Sequence, residues 1–301
     1  MDNQPQIEIL AFTDPVCTWC WGAEPVLRKL QVWYKDQIRI TPVMGGLVKD
    51  IRDFRDQAND IGGDPEESNR QIARHWLEAS ERHHMPVRIE GFRLFSAESF
   101  STYPQNIAYK AVELDDPRLA LRYLRRMREA SAAEARETGR REVLIELASE
   151  VGADIAAMIE HLENGSARLA FNNDLEIVKK YGVQGFPTFL FRHDGKELLL
   201  RGFQSYSSMR AALGSLAGNR QQEHPPEKTQ EAILNFLQVS GHAAPIELES
   251  IFDLSTAELE HMLINLKSQQ RIRQVPAGNG SFWESVATGV SCDSVSGICT
   301  V

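Results

Sequence analysis

"FTDPVCTWCWGAEPVLRKL", residues 12–30, decides how the rest of the chain is read. Two of the four cysteines stand here, Cys17 and Cys20, in C-x-x-C spacing. They follow a short apolar run, "IEILAF" (Ile7 to Phe12), which reads as a buried strand broken by Asp14 and Pro15. A helix is predicted from about Cys17 to Lys35, with Ala23, Val26, Leu27, Leu30 and Trp33 on one stripe. A dithiol at a helix N-terminus has a specific chemistry. Free amide N–H groups and the helix dipole favour a thiolate at the first cysteine. A second thiol one turn on resolves a mixed disulfide. The stretch therefore predicts Cys17 as nucleophile and Cys20 as resolver, with Thr18 and Trp19 tuning the thiolate and Trp19 facing substrate. Metal ligation and inert core cysteines are the competing readings of C-x-x-C taken alone.

Outward from this motif, "IRITPVMGGL" (Ile38 to Leu47) reads as a second strand, and a helical crossover of this length predicts a parallel pair. From about residue 50 to 170 strand signals give way to helical spacing. The Arg-rich part of that insertion interleaves with Glu and reads as a solvated helix face. His75, His83 and His84 lack accompanying ligands and read as surface residues. "NNDLEIVKKYGV" predicts a helix capped by Asn172 or Asn173. "TFLFR" (Thr188 to Arg192), a turn at His193–Gly195 and "KELLLRG" predict a hairpin, closed by a helix in "SYSSMRAALGSLAG". Between helix and strand lies "GVQGFPTF" (Gly182 to Phe189). Proline cannot donate to a sheet ladder, so Pro187 at this junction predicts a cis Phe186–Pro187 bond beside the thiols. Phe186 and Thr188 would flank an incoming extended peptide there.

"DPVCTWCWG", "GGL", "YGVQGFPTF" and "GFQSYSSMRAAL", in that order and with a helical insertion between, resemble the DsbA family of thioredoxin-fold proteins, and most of all its signal-less FrnE-like and disulfide-isomerase-like branch. The resemblance covers about Ile7 to Gly218. It implies an α/β thioredoxin-like fold, Cys17 and Cys20 as the active-site pair, and Phe186, Pro187 and Thr188 as the cis-proline loop. The implied activity is thiol–disulfide exchange on protein thiols or disulfides, with no cofactor because the cysteines carry the electrons. Thr18 and Trp19 replace the family's usual Pro or His between the cysteines, which leaves oxidase, reductase and isomerase directions open. The same subfamily includes adaptors that hand a transcription regulator to the ClpXP protease. A binding role of that kind, with redox-sensing cysteines, is the rival expectation.

The remaining chain divides into a linker at 219–228, a small unit at 229–288 and a tail at 289–301. Three helices followed by a strand–turn–strand make the small unit resemble a winged helix. Its charge argues against DNA: from Pro225 to Val301 four basic residues face nine acidic ones, and "STAELEHML" puts acids at the helix that would enter the major groove. The tail carries Cys292 and Cys299, a candidate second redox pair that passes electrons to or from Cys17–Cys20, the effective concentration within one chain favouring the relay. A zinc site joining all four cysteines does not fit the C-x6-C spacing, and no metal is expected. At −9 net charge the chain is not a general nucleic-acid binder. No run approaches the length of a membrane span, and "MDNQPQIEIL" has no basic n-region, so the expected location is cytoplasmic.

Overall fold

The computed structural model describes residues 6–218 and 220–286, together with the backbone of 291–292 and 299–300. Strand β1 (Ile7–Thr13) runs beside β2 (Ile38–Met44), in parallel, on one edge, and against antiparallel β5 (Thr188–His193) on the other; β6 (Lys196–Arg201) completes the sheet order β2-β1-β5-β6. The period-two side-chain alternation of a strand explains how β1 serves two layers. Ile7, Ile9 and Ala11 join a core with Leu30, Trp33, Phe189, Phe191, Met209 and Leu213. Leu10 and Phe12 face the other way, toward Val43, Leu190 and the partly buried Ile177 and Val178.

The predicted helix after the cysteines is two helices. Helix α1 (Thr18–Gly22) ends at Ala23, and α2 (Glu24–Tyr34) restarts there with Pro25 in its first turn. Proline is tolerated only in a first turn, so its position fixes the break. The insertion holds α3 (Pro65–His83), α4 (Tyr103–Asp115), α5 (Pro117–Ala132), α6 (Arg141–Glu150) and α7 (Ile155–Glu163). It also contains a two-residue pairing of β3 (Arg55–Asp56) with β4 (Ile61–Gly62), too short to leave a sequence pattern. Helix α8 (Ser166–Lys180) starts at Gly165, so Asn172 and Asn173 are interior residues and not its cap. Helix α9 (Tyr206–Ala217) packs on β5 and closes the sheet layer.

Two readings of the insertion are corrected. His83 is buried, not a surface residue: α3 packs on α1, Met85 N–H donates to His83 Nδ1 at 3.1 Å, and Nε2 meets Thr18 Oγ1 at 3.4 Å. His75 is half-buried, and only His84 is exposed. The Arg-rich helix is likewise not a simple solvated face. Arg128 is buried and Arg125 is nearly so, both held by carboxylates from elsewhere in the chain.

The C-terminal elements are α10 (Gln230–Ser240), β7 (His242–Ala243), α11 (Pro245–Phe252), α12 (Thr256–Ser268), β8 (Ile272–Ala277) and β9 (Gly280–Ser285), with a sheet ordered β7-β9-β8. Ser255 and Glu258 form a capping box at the start of α12. This unit has its own core of Leu234, Leu237, Leu248, Ile251, Leu263 and Trp283. It docks on the sheet layer and the insertion through an apolar seam, where Ala244, Ala277 and Phe282 meet Trp21, Met85 and Val87, and through polar contacts. Trp33 Nε1 donates to Ile251 O at 2.7 Å, and Arg28 and Arg125 both reach buried Glu247. At the β8–β9 tip, Asn279 N–H donates to Val87 O and Val87 N–H to Asn279 Oδ1, each at 2.8 Å. Gly278, at φ +51, lies so close to Val87 that an added Cβ would sit 2.3 Å from its carbonyl.

Candidate functional site

Thr13 ends β1, and Asp14 and Pro15 turn the chain so that Cys17 becomes the N-cap of α1, with extended φ −84 and ψ 115. Its sulfur does what an N-cap oxygen does and accepts the backbone N–H of Cys20 at 3.2 Å. Both cysteines are free thiols. Cys17 is 6% exposed and Cys20 1%, and Cys17 alone of the two lines the open groove, so access favours Cys17. The Phe186–Pro187 bond is cis, and Cys17 Sγ lies 3.6 Å from Phe186 O. Thr188 hydroxyl donates to Gly185 O at 2.8 Å and fixes the loop. The Phe186 ring covers Gly45, where a Cβ would stand 2.0 Å from it. Cys17, Gly45, Gly185 and Phe186, with Trp19, Leu47, His75 and Trp76, border a groove of about 770 Å³, while Pro187 and Cys20 line a smaller cavity behind it. Trp19 is packed by His75, His83 and exposed Phe203, with ring centroids 6.1, 6.1 and 5.8 Å away.

The two thiols share an ionisation. Burial, then the neighbouring sulfur, push the Cys17 thiol up, while the Cys20 N–H works the other way. Burial also opposes charge on Cys20, yet the Cys17 hydrogen bond and then the Arg128 charge bring it below the ordinary thiol range. The two sulfurs therefore lose their protons as a pair and not as independent thiols, and burial at the start of the five-residue α1 outweighs the thiolate preference expected of Cys17 at a helix N-terminus. Asp14, fully buried, has its carboxyl raised by desolvation despite donors from Leu47, Asn106, Val16 and Thr102. His83 is kept neutral, its pKa lowered to about 4 by burial, so it adds no positive charge beside Thr18.

A thioredoxin family model matches residues 10–211. The chain belongs to the thioredoxin family. Solved thioredoxin-like structures resemble it: a putative protein disulfide isomerase from Nitrosomonas europaea superposes with TM-score 0.60 at 18% identity, covering 72% of this chain and 100% of that one. The cytosolic disulfide reductase DsbM of Pseudomonas aeruginosa gives TM-score 0.55 at 22% identity, over 69% and 97%. At these identities the likeness is one of fold. Relatives matched over more of the chain carry another name. The ClpXP adapter protein SpxH of Halalkalibacterium halodurans is 29% identical over 290 residues, 94% of this chain and 91% of that protein. SpxH of Bacillus subtilis is 25% identical over 289 residues, 94% and 90%.

For this thioredoxin-family chain the structure gathers Cys17, Cys20, Trp19, Phe186, Pro187 and Thr188 at one place. Sequence reading missed Thr13, Asp14, Glu24, His83 and Arg128, which also surround the thiols. Asp14 stands in the quoted motif and was visible only as a strand breaker. Arg128 had no local signal, because its contacts come from residues more than a hundred positions away. Backbone pairing of β10 (Ser291–Cys292) with β11 (Cys299–Thr300) sets Cys292 opposite Cys299. The rest of the tail and both of those side chains lie outside the described residues. Among those described, no helix is long and apolar enough to cross a membrane.

Proposed function

We propose that this protein is a cytoplasmic adaptor that presents a protein client, such as a transcription regulator, to a ClpXP-type protease. One observation carries the reading: likeness to the ClpXP adapters extends over 94% of the chain, a span that includes most of the C-terminal unit, whereas the family model stops at residue 211. The thioredoxin fold alone does not account for that unit, whose element order fits a winged helix and whose acidic charge suits a protein surface better than DNA. The test is reconstitution. A client captured by the full chain is incubated with ClpXP and ATP, and adding the chain is expected to accelerate its degradation several-fold. An unchanged degradation rate sinks the reading.

A second reading has its own support in the N-cap geometry of Cys17 and its closeness to Phe186 O. In it Cys17 is the nucleophile, Cys20 the resolver, and Trp19, Phe186, Pro187 and Thr188 form the substrate contact. Reduced Cys17 attacks a client disulfide, one client sulfur leaves as thiolate, and Cys20 then displaces the other, leaving a Cys17–Cys20 disulfide. Cys17→Ser is expected to abolish exchange on a scrambled disulfide protein, with loss of at least a hundredfold in rate. Equal rates for variant and wild type count against it. The Cys292–Cys299 relay is tested by trapping a mixed disulfide with Cys17 in a Cys20→Ser chain.

A further inference from the structure

Behind Cys20, on the side away from the groove, is a cavity of about 100 Å³ whose wall includes Thr13, Cys20, Glu24 and Arg128. Arg128 reaches it from α5 and is 4% exposed. Its Nη2 donates to Thr13 Oγ1 at 2.5 Å, and its Nη1 pairs with Glu24. Its Nε is buried with no hydrogen-bond partner. Thr13 and Arg128 share the wall of this small cavity with Cys20, which sets a buried guanidinium on the inner side of the thiol pair. A buried charged donor left unpaired is costly, which asks what completes it. Glu24 does not neutralise Arg128 fully, because the same carboxylate also serves Arg125 at 3.5 Å.

We propose that Arg128 is a positioning residue whose buried guanidinium, on the cavity wall it shares with Cys20, favours the reduced Cys17–Cys20 pair over its disulfide, with Glu24 limiting its pull. This inference rests on the thiol-exchange reading of the site. When two glutathione thiols reduce the disulfide, two electrons pass to the protein sulfurs, the Cys17–Cys20 bond breaks and glutathione disulfide forms. Of the two protons released, one stays shared by the pair and one goes to solvent. Arg128 favours that product. The other groups facing the pair are Asp14, which opposes charge on Cys17, neutral His83 beneath Thr18, and His75 against Trp19. Arg125 lies one ion pair further away. The lowered Cys20 thiol is consistent with this arrangement.

The experiment compares full-length wild type, Arg128→Gln, Arg128→Lys and Glu24→Gln. Two quantities are read: the equilibrium with reduced and oxidised glutathione at pH 7, and the pH midpoint of iodoacetamide alkylation. Arg128→Gln is expected to raise the midpoint by about one pH unit and shift the equilibrium about tenfold toward the disulfide, about 30 mV lower in potential. Arg128→Lys is expected to restore most of this. Glu24→Gln is expected to shift both quantities the opposite way, which general loosening of the structure would not do. Variants with wild-type circular dichroism that leave both quantities unchanged, or shift them in the same direction, overturn the proposal. If Arg128→Gln does not fold, the sign of the Glu24→Gln shift decides. A wild-type pair that forms no disulfide across the titration overturns the thiol-exchange reading itself, and this inference with it.

Discussion

His83 shows how one side chain ties the thiol site to stability. Because Met85 N–H donates to Nδ1, the neutral ring carries its proton on Nε2, facing the Thr18 hydroxyl. Burial lowers its pKa from the ordinary 6.5 to about 4. Between those values the unfolded chain binds more protons than the folded one, so stability falls as pH drops from about 6.5 to about 4 and the loss then levels off. The difference corresponds to about 3 kcal/mol at most for this residue. His83→Gln is expected to flatten that part of the profile, measured by urea unfolding at pH 7 and pH 4.5. A profile as steep as wild type would assign the acid sensitivity to other groups. The residue was misread in the sequence because "SERHHMP" gives no sign of which histidine turns inward. Only the packing of α3 on α1 distinguishes His83 from His84.

At the scale of elements, the legible features were those whose information is local. The short apolar run Ile7 to Phe12 marked β1, and the turn at His193–Gly195 marked the β5–β6 hairpin. Features decided by distant contacts were not legible. The break at Ala23, the α8 start at Gly165 and the buried faces of α5 all follow from what packs nearby. The β8–β9 tip belongs to this second class. Nothing in "VPAGNGSF" announces that Gly278 meets the backbone of Val87. Gly278→Ala puts a Cβ into that carbonyl at a positive φ that alanine disfavours. It is expected to cost about 1–3 kcal/mol and to speed amide exchange at Val87 and Asn279, where hydrogen–deuterium exchange would read it. Unchanged protection at both amides would show that the tip does not depend on this approach.

Across the whole molecule, Glu247 is the hinge pin of the C-terminal docking. It caps α11 through Ala244 N–H at 2.8 Å and meets Arg28 and Arg125 at 2.8 and 2.7 Å from two other elements. Burial works against its charge, yet Arg125, then Arg28, hold its carboxyl down to about 2. Its folded pKa lies below the ordinary 4.5, so its contribution is present above about pH 4.5 and is lost as pH falls toward 2. Glu247→Ala leaves two guanidinium groups short of a buried partner and is expected to cost about 3–5 kcal/mol. Limited proteolysis in the 219–228 segment should accelerate in this variant at pH 7. Wild-type proteolysis and unfolding midpoints would mean that the Trp33–Ile251, His242–Glu129 and Asn279–Val87 contacts suffice for docking. If the protein is an adaptor, the same variant should also lose client delivery while keeping its thiol chemistry.

The strand that carries the chain into the thiol site, β1, is paired on one side by β2 and on the other by β5, which begins about 175 residues after β1 ends. At ribosomal rates of roughly 5–20 residues per second, that separation is on the order of ten to thirty seconds. Throughout it the nascent chain holds Cys17 and Cys20 with an open strand edge beside them and no Phe186–Thr188 loop above them. The protein's own synthesis thus includes a period in which Cys17 and Cys20, buried in the folded chain, lack the cover that the later residues supply.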